Sequence, residues 1–481
     1  MNSTPTNEFP NPFPYNLNPL LHPKSIAILG ASQNADKIVG KPLYFLQKHG
    51  YAGKIYPVNP KYKEISGIPC YPSLAKVPGE IDVVLIGLPA EGVLGALREC
   101  AARGVKSALV FASGFAEVGG EGVKMQEDLR DFAQQSGIAL CGPNCQGVIN
   151  LSEGAAASFT LALERHPLRT GKSAFITQSG ALGGALFTTA QEMGLGFSYW
   201  VSTGNEAVLE SADYMHYMVQ DPKTEIILGY IEGFRNLEKL RHVAREALER
   251  RKPIVILKVG KSEVGTKASS LHTGAVTGSG PFYENLFREI GILQVRDVDE
   301  LFDVGSMLSV GKLPQGNGVG IITISGGAGV LFSDLCAEEG LTVPPLEGET
   351  REKMLKLLPP FGSALNPVDI TAQSRQLEAS HPDLYKDYLR VLLRDPRCHS
   401  VIFILTAASG KRGLKIARDI VDIFPETEKP MAVAWFAGNV AQDCYEILEK
   451  AGVPLFRAPG RCVRAMGALA KYSQFLRNLQ G

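Results

Sequence analysis

The chain has 481 residues, 45% of them hydrophobic, which is material for about three domains at roughly 100–200 residues each and excludes a disordered or fibrous protein. Forty-nine basic residues balance 49 acidic ones, so no global field gathers nucleic acid or an anionic membrane, and any affinity for phosphate must be local. Eight cysteines form no CxxC pair and are too sparse for a disulfide scaffold, which suits a reducing cytoplasm.

The start, MNSTPTNEFPNPFPYNLNP, lacks the basic and apolar regions of a secretory signal, and no apolar run approaches the ~20 residues of a membrane span. Its Pro- and Asn-rich composition predicts a loose extended arm over residues 1–18. From Ser25 onward the β-branched runs SIAILGAS, GKIYPVNP, IDVVLIGLP, KSALVFASGF and GIALCGPN alternate with helical-period segments. That alternation predicts a parallel sheet with crossover helices over 19–150. A second series, KSAFITQSG, GFSYWVSTGN, TEIILGYIEG, KPIVILKVG and GILQVRD, ends in a helix near 297–310 and predicts a second α/β domain over 151–310. The Gly- and Pro-rich stretch GKLPQGNG breaks the pattern at 311–318. After it, VGIITISGG, SVIFILTA, KPMAVAWFAG and VPLFRAP predict a third domain over 311–481.

The second and third domains share an echo. Ile176-Thr177-Gln178-Ser179-Gly180 and Ile322-Thr323-Ile324-Ser325-Gly326 each close a strand and open a helix, and Gly194-Leu195 and Gly340-Leu341 end the two helices at the same offset. Two equivalent helix N-termini, at Ser179, Gly180 and Ala181 and at Ser325, Gly326 and Gly327, would each offer free N–H groups and a positive dipole end to an anion.

In the first βα turn, Gly30, Ala31 and Ser32 are small enough to let backbone approach a diphosphate. A nicotinamide fingerprint would read GxGxxG here, with an acid at the end of the second strand. That strand instead ends in Asn59 and, two residues on, Lys61. Together with Lys37, this suits a nucleotide with an extra phosphate, such as the 3′-phosphate of coenzyme A, better than NAD. Leu88 and Pro89, Ser113 and Gly114, and Asn144 and Cys145 follow later strands and should emerge at the same carboxyl edge. Cys145 has no paired histidine nearby in sequence and reads as a packed thiol beside a ligand.

The loop SSLHTGAVTGSG at 269–280 presents one imidazole, His272, in a segment small enough to wrap an anion. A phosphorylated imidazole needs a carboxylate on its other nitrogen to fix the tautomer. Glu232, ending the strand in GYIEG, is the natural candidate; Glu206 and Glu210 in STGNEAVLE are rivals, better suited to surface or helix N-terminal positions. No metal-ligand cluster is expected.

The motifs GAS, YPVNPK, GPNCQG, ITQSGALG, STGNEA, YIEG, SSLHTGAVTGS, ISGGAGV and NPVDIT run in order over about 19–475, and together they resemble the α subunit of ADP-forming acyl-CoA synthetases, relatives of succinyl-CoA synthetase. The resemblance implies an α/β fold of three doubly wound, Rossmann- or flavodoxin-like domains, the first binding CoA and the other two of CoA-ligase type. It implies that His272 is phosphorylated in turnover, that Glu232 supports it, and that both Ser-Gly helix starts serve the phosphoryl group. The reaction would be acid + CoA + ATP giving acyl-CoA + ADP + phosphate through an acyl phosphate. No P-loop and no residues for an ATP-grasp module remain. ATP or ADP with Mg would therefore lie on an ATP-grasp β subunit, in an αβ or α2β2 assembly. A CoA-sensing protein that has lost turnover would carry an altered histidine loop, and a dehydrogenase would carry an acid at position 59; neither matches this chain.

Overall fold

A computed structural model describes residues 12–480 apart from 268–279, 373–376 and 379. By its contacts the chain divides into two units, Met1–Arg296 and Asp297–Gly481. Among the described residues no helix is long and apolar enough to cross a membrane, and all eight cysteines are free and buried.

The first unit holds two large sheets and a two-stranded ribbon of Glu64–Ile65 and Ile68–Pro69. One has five parallel strands in the order Lys54–Val58, Ser25–Leu29, Val83–Ile86, Ser107–Val110 and Ala139–Cys141. Val83–Ile86 and Ser107–Val110 are buried at every residue, because crossover helices cover both faces and leave no polar alternation. The other sheet runs Leu293–Val295, Ile254–Lys258, Ile226–Ile231, Thr170–Thr177, Phe197–Ser202, then Gly147–Asn150 and Ala155–Ser158. Its last two strands pair antiparallel. The segment 147–150, expected to close the first domain, is thus an edge addition to the second sheet; an isolated hairpin carries no helix-alternating signal.

The second unit has one parallel sheet, in the order Val368–Asp369, Val319–Thr323, Ser400–Thr406, Met431–Phe436 and Leu455–Phe456. The helix Val298–Ser309, expected at the end of the second domain, packs here against the C-terminal helix Pro459–Gln480. Arg461 fixes it with two hydrogen bonds, 2.7 and 2.8 Å, to the buried carboxylate of Asp303.

Counted along the chain, the parallel strands of all three large sheets run 2-1-3-4-5. In this order the chain leaves the first and third strands toward opposite faces, so a crevice opens beyond their carboxyl ends.

The N-terminal arm departs from expectation. Residues 1–11 lie outside the described residues, but Phe13 and Leu17 are buried, and the short helix Asn18–Leu21 buries Leu20 and Leu21. Phe13 stacks on His216 with ring centroids 3.8 Å apart, and the Tyr217 hydroxyl donates to Asn18 Oδ1 at 2.7 Å. Proline and asparagine dominate the composition, yet among the described residues Phe13, Tyr15 and Leu17 all pack against a core. Replacing Phe13 and Leu17 together by Ala should therefore lower the unfolding free energy of the first unit by at least about 2 kcal/mol, the lower end for truncating one buried Leu or Phe. Urea denaturation measures it, and an unchanged midpoint would make the segment a mere appendage.

Candidate functional site

In the first sheet the crevice lies between the loops after Ser25–Leu29 and Val83–Ile86. Gly30 has φ +87°, and an added Cβ would stand 3.0 Å from the Gly87 carbonyl oxygen, so only glycine lets the loops pass this closely. Ala31 and Ser32 are buried behind it. Asn59 Nδ2 donates to Ala31 O at 2.8 Å, while its Oδ1 accepts from Lys61 N at 3.0 Å. With both ends committed to backbone, Asn59 braces the loop and is no receiver for a ribose diol. Lys37 and Lys61 are exposed cations on the flanking turns. Leu88 is half-buried, and Pro89 precedes the helix Ala90–Ala102.

Ser113 is exposed and Gly114 takes φ +103°. The Gly114 N–H donates to Glu117 Oε1 at 2.6 Å, and the other oxygen of that carboxylate accepts from Asn205 Nδ2. Asn205 also receives a bond from Asn144 Nδ2 at 3.2 Å, and its backbone N–H donates to Pro143 O at 2.9 Å. The loop after Ser107–Val110 is thereby tied through Glu117 and Asn205 to the loop carrying Asn144 and Cys145. Cys145 is buried, its Sγ 3.3 Å from Val110 O, and burial together with the adjacent Cys141 pushes its thiol pKa up, which keeps it protonated and unreactive.

These loops wall a cavity of about 280 Å³. Asn144, Cys145 and Phe111 line one side, Ser179, Gly180 and Ala181 the other, with Phe159 and Gln178 between them. Phe111 and Phe159 meet edge to face at 5.1 Å. The helix Gly180–Glu192 starts at Ser179 with no side-chain cap, so its first N–H groups are left for a ligand. Thr177 Oγ1 donates to Ser179 O at 2.8 Å and shapes the entry to the helix.

Across the crevice of the second sheet stands Glu232, buried at the end of Ile226–Ile231. Gln178 holds this position. Its Oε1 accepts from the N–H groups of Glu232 at 2.6 Å and Gly233 at 3.1 Å, and its Nε2 donates to Gly233 O at 2.7 Å. Buried Lys258 donates to Glu232 O at 2.6 Å, and burial lowers its pKa to about 8, opposed by the Glu232 carboxylate. His272 and the rest of its loop to residue 279 lie outside the described residues.

Glu206 and Glu210 are at a helix N-terminus, and buried rather than on the surface. Glu210 and Asp213 form a reciprocal capping box on the helix Ser211–Gln220, and Glu206 accepts from the Ser211 N–H at 3.0 Å and from its hydroxyl. Burial raises the Glu206 pKa to about 7, against the pull of hydrogen bonds from Ser211 and Gln178.

The second unit repeats the Ser179 turn in atomic detail. Thr323 Oγ1 donates to Ser325 O at 2.9 Å, the helix Gly326–Glu338 also begins uncapped, and Gly340 again takes a positive φ at its end. A Cβ on Gly326 would lie 3.0 Å from Asp369 Oδ2, whereas Gly327 faces open space. Sequence reading found the turns but missed Gln178, Glu117, Asn205 and Lys258, whose roles depend on which loops the sheet order brings together. The only signal for Gln178 was its place inside the ITQSG echo.

Three family models match in succession: a CoA binding domain over residues 24–150, a succinyl-CoA ligase like flavodoxin domain over 170–308, and a ligase-CoA domain over 319–472. Two Pyrococcus furiosus proteins, the α subunits of ADP-forming acetate–CoA ligases II and I, are 34% and 36% identical over 94% and 95% of the chain, which spans 97% and 98% of them. An ADP-forming acetate–CoA ligase of Archaeoglobus fulgidus is 36% identical over 95% of the chain, which spans 63% of that longer protein. Among solved structures, a dinucleotide-forming acetyl-coenzyme A synthetase 1 of Ca. Korarchaeum cryptofilum, in complex with phosphate and ADP, superposes with a TM-score of 0.89 at 33% identity, covering 97% of this chain and 98% of that one.

The Glu206 geometry has a measurable consequence. Its carboxyl rises from 4.5 to about 7 on folding, so between those values the folded chain binds the extra proton and stability falls as pH rises. Glu206→Gln should remove that dependence. The stability of the variant relative to wild type should grow between pH 5 and pH 8, by up to about 3 kcal/mol. Denaturant midpoints at the two pH values test it; a difference independent of pH would contradict the assignment.

Proposed function

The chain belongs to the ADP-forming acetate–CoA ligase family, whose α-subunit members it matches nearly end to end, and from that premise we propose that it is the CoA- and acyl-handling half of an ADP-forming acyl-CoA ligase. The reaction is acid + CoA + ATP giving acyl-CoA + ADP + phosphate. The observation that carries this reading is the cavity in the first unit, where Asn144 and Cys145 of the first sheet's loops face the uncapped helix start at Ser179, Gly180 and Ala181.

A carboxylate and a thiol do not condense unaided, so the carboxylate is first phosphorylated. In the proposed cycle the phosphoryl group passes from ATP to a ring nitrogen of His272. A substrate carboxylate oxygen then attacks phosphorus, the P–N bond breaks, and an acyl phosphate forms with its phosphate against the helix N-terminus. Fixed N–H dipoles stabilise the charge on the transferring oxygens. The CoA sulfur next attacks the acyl carbon and inorganic phosphate leaves. CoA would lie along the crevice of the first domain, with Gly30, Ala31, Ser32, Leu88, Pro89, Ser113 and Gly114 at its backbone and Lys37 and Lys61 at its phosphates.

Glu232 would orient His272 and stabilise its cationic form, as a triad acid does. Gln178 sets the Glu232 backbone and so acts as a positioning residue. Ser325, Gly326 and Gly327 would supply the equivalent phosphate cradle of the second unit. The nucleotide and its Mg2+ belong on a separate ATP-grasp β subunit, in an αβ or α2β2 complex, and the acid is a small carboxylate.

With that partner and γ-labelled ATP, wild type should yield an acid-labile, base-stable phosphoprotein and His272→Ala none. Glu232→Gln should slow labelling while CoA binding stays nearly unchanged. Full labelling of His272→Ala would overturn the proposal.

A further inference from the structure

We propose that His216, His242 and Glu246, remote in role from the crevice, form a binding site for a divalent first-row transition metal ion of the zinc type. His216 projects from the helix Ser211–Gln220; His242 and Glu246 sit one turn apart on the neighbouring helix Leu237–Glu249. Spacing of i, i+4 places the latter two on one helix face. One ligand atom of each residue lies within 4.8 Å of the other two.

The hydrogen bonding points the same way. His216 Nδ1 and Glu246 Oε2 are 3.0 Å apart, yet both are shut off from solvent and neither has an aligned hydrogen-bond partner. Held 3.0 Å apart without an aligned hydrogen bond, the two atoms are poorly satisfied as a direct pair. A metal ion satisfies both at once. Tetrahedral bonds of about 2.0–2.1 Å hold ligand atoms roughly 3.3 Å apart, so side-chain rotation alone closes the site.

The surroundings of the ligands are those of a metal site. Arg250 Nε donates to Glu246 Oε1 at 2.9 Å, which orients the carboxylate and leaves Oε2 for the ion. The Gln220 side-chain amide lies 3.2 Å from His216 Nε2. The same amide nitrogen donates to Glu246 Oε1 at 3.4 Å, so it joins the two ligand side chains, and Nδ1 carries the proton that an entering ion displaces. Phe13 stacks on the His216 ring at an interplanar angle of 11° and covers one face. His242 is exposed, which gives an entry path and leaves the remaining coordination position to water. Imidazole and carboxylate donors suit zinc, and Co2+ reports the same site by its colour. The ion would join the two helices and, through Phe13, secure the N-terminal segment.

The test uses the full, untagged chain stripped by chelator and titrated with Co2+ alone and Zn2+ alone. One Co2+ per chain should bind with a visible ligand-field band, and Zn2+ should displace it and raise the melting temperature. His242→Gln keeps the fold, since the residue is exposed, and its metal-free melting should match wild type. It should weaken Co2+ binding by more than about 100-fold, beyond the roughly 10–100-fold that losing an outer partner costs. His381→Gln, at a half-buried histidine of the second unit that pairs with Asp387, should bind like wild type. No stoichiometric uptake by wild type, or equal uptake by His242→Gln, would overturn the proposal.

Discussion

One buried amide holds the candidate site together. The Gln178 side chain bridges the ends of the first and third parallel strands of the second sheet and satisfies two N–H groups and a carbonyl just where the chain splays apart. Without it, three buried backbone groups at the switch point would lose their partner, and Glu232 would depend on this side on the Lys258 bond to its carbonyl. The crevice exists because of strand order; Gln178 makes it a fixed one.

The same order repeated three times explains why ligand-facing residues cluster in short loops scattered along the chain. Each first strand delivers a small-residue turn, and each third strand delivers its opposite wall. In the first unit two such crevices are clamped together by the Glu117, Asn205 and Asn144 network. A cavity beside an uncapped helix end results, its Cys145 thiol disarmed by burial. An acyl phosphate placed there would meet fixed dipoles on its phosphate side and apolar Phe111 and Phe159 on its acyl side, with no nearby cysteine competing as nucleophile.

The fold was largely legible because parallel strands buried on both faces read as continuous apolar runs, and the small turns after them read as ligand loops. Three features were not. The hairpin of Gly147–Asn150 and Ala155–Ser158 joins the second sheet by antiparallel pairing that no periodicity announces. The helix Val298–Ser309 follows its apolar stripe and the Arg461 to Asp303 pair into the second unit, an attachment 158 residues away in sequence. The arm's Phe13 and Leu17 are hidden among prolines and asparagines. At the site, a turn such as Ser179-Gly180-Ala181 is local and can be read directly, whereas Gln178 facing Glu232, or His216 facing His242 and Glu246, depends on pairings across elements.

The central claim is that one cavity in this chain brings an acyl phosphate and the CoA thiol together without the nucleotide. It is tested most directly by giving the purified, partner-free chain acetyl phosphate and CoA, with no ATP or ADP, and following thioester and inorganic phosphate. The account predicts acetyl-CoA and phosphate in equal amounts, formed well above the rate in buffer. A folded chain that binds CoA yet forms no thioester above that background would contradict it.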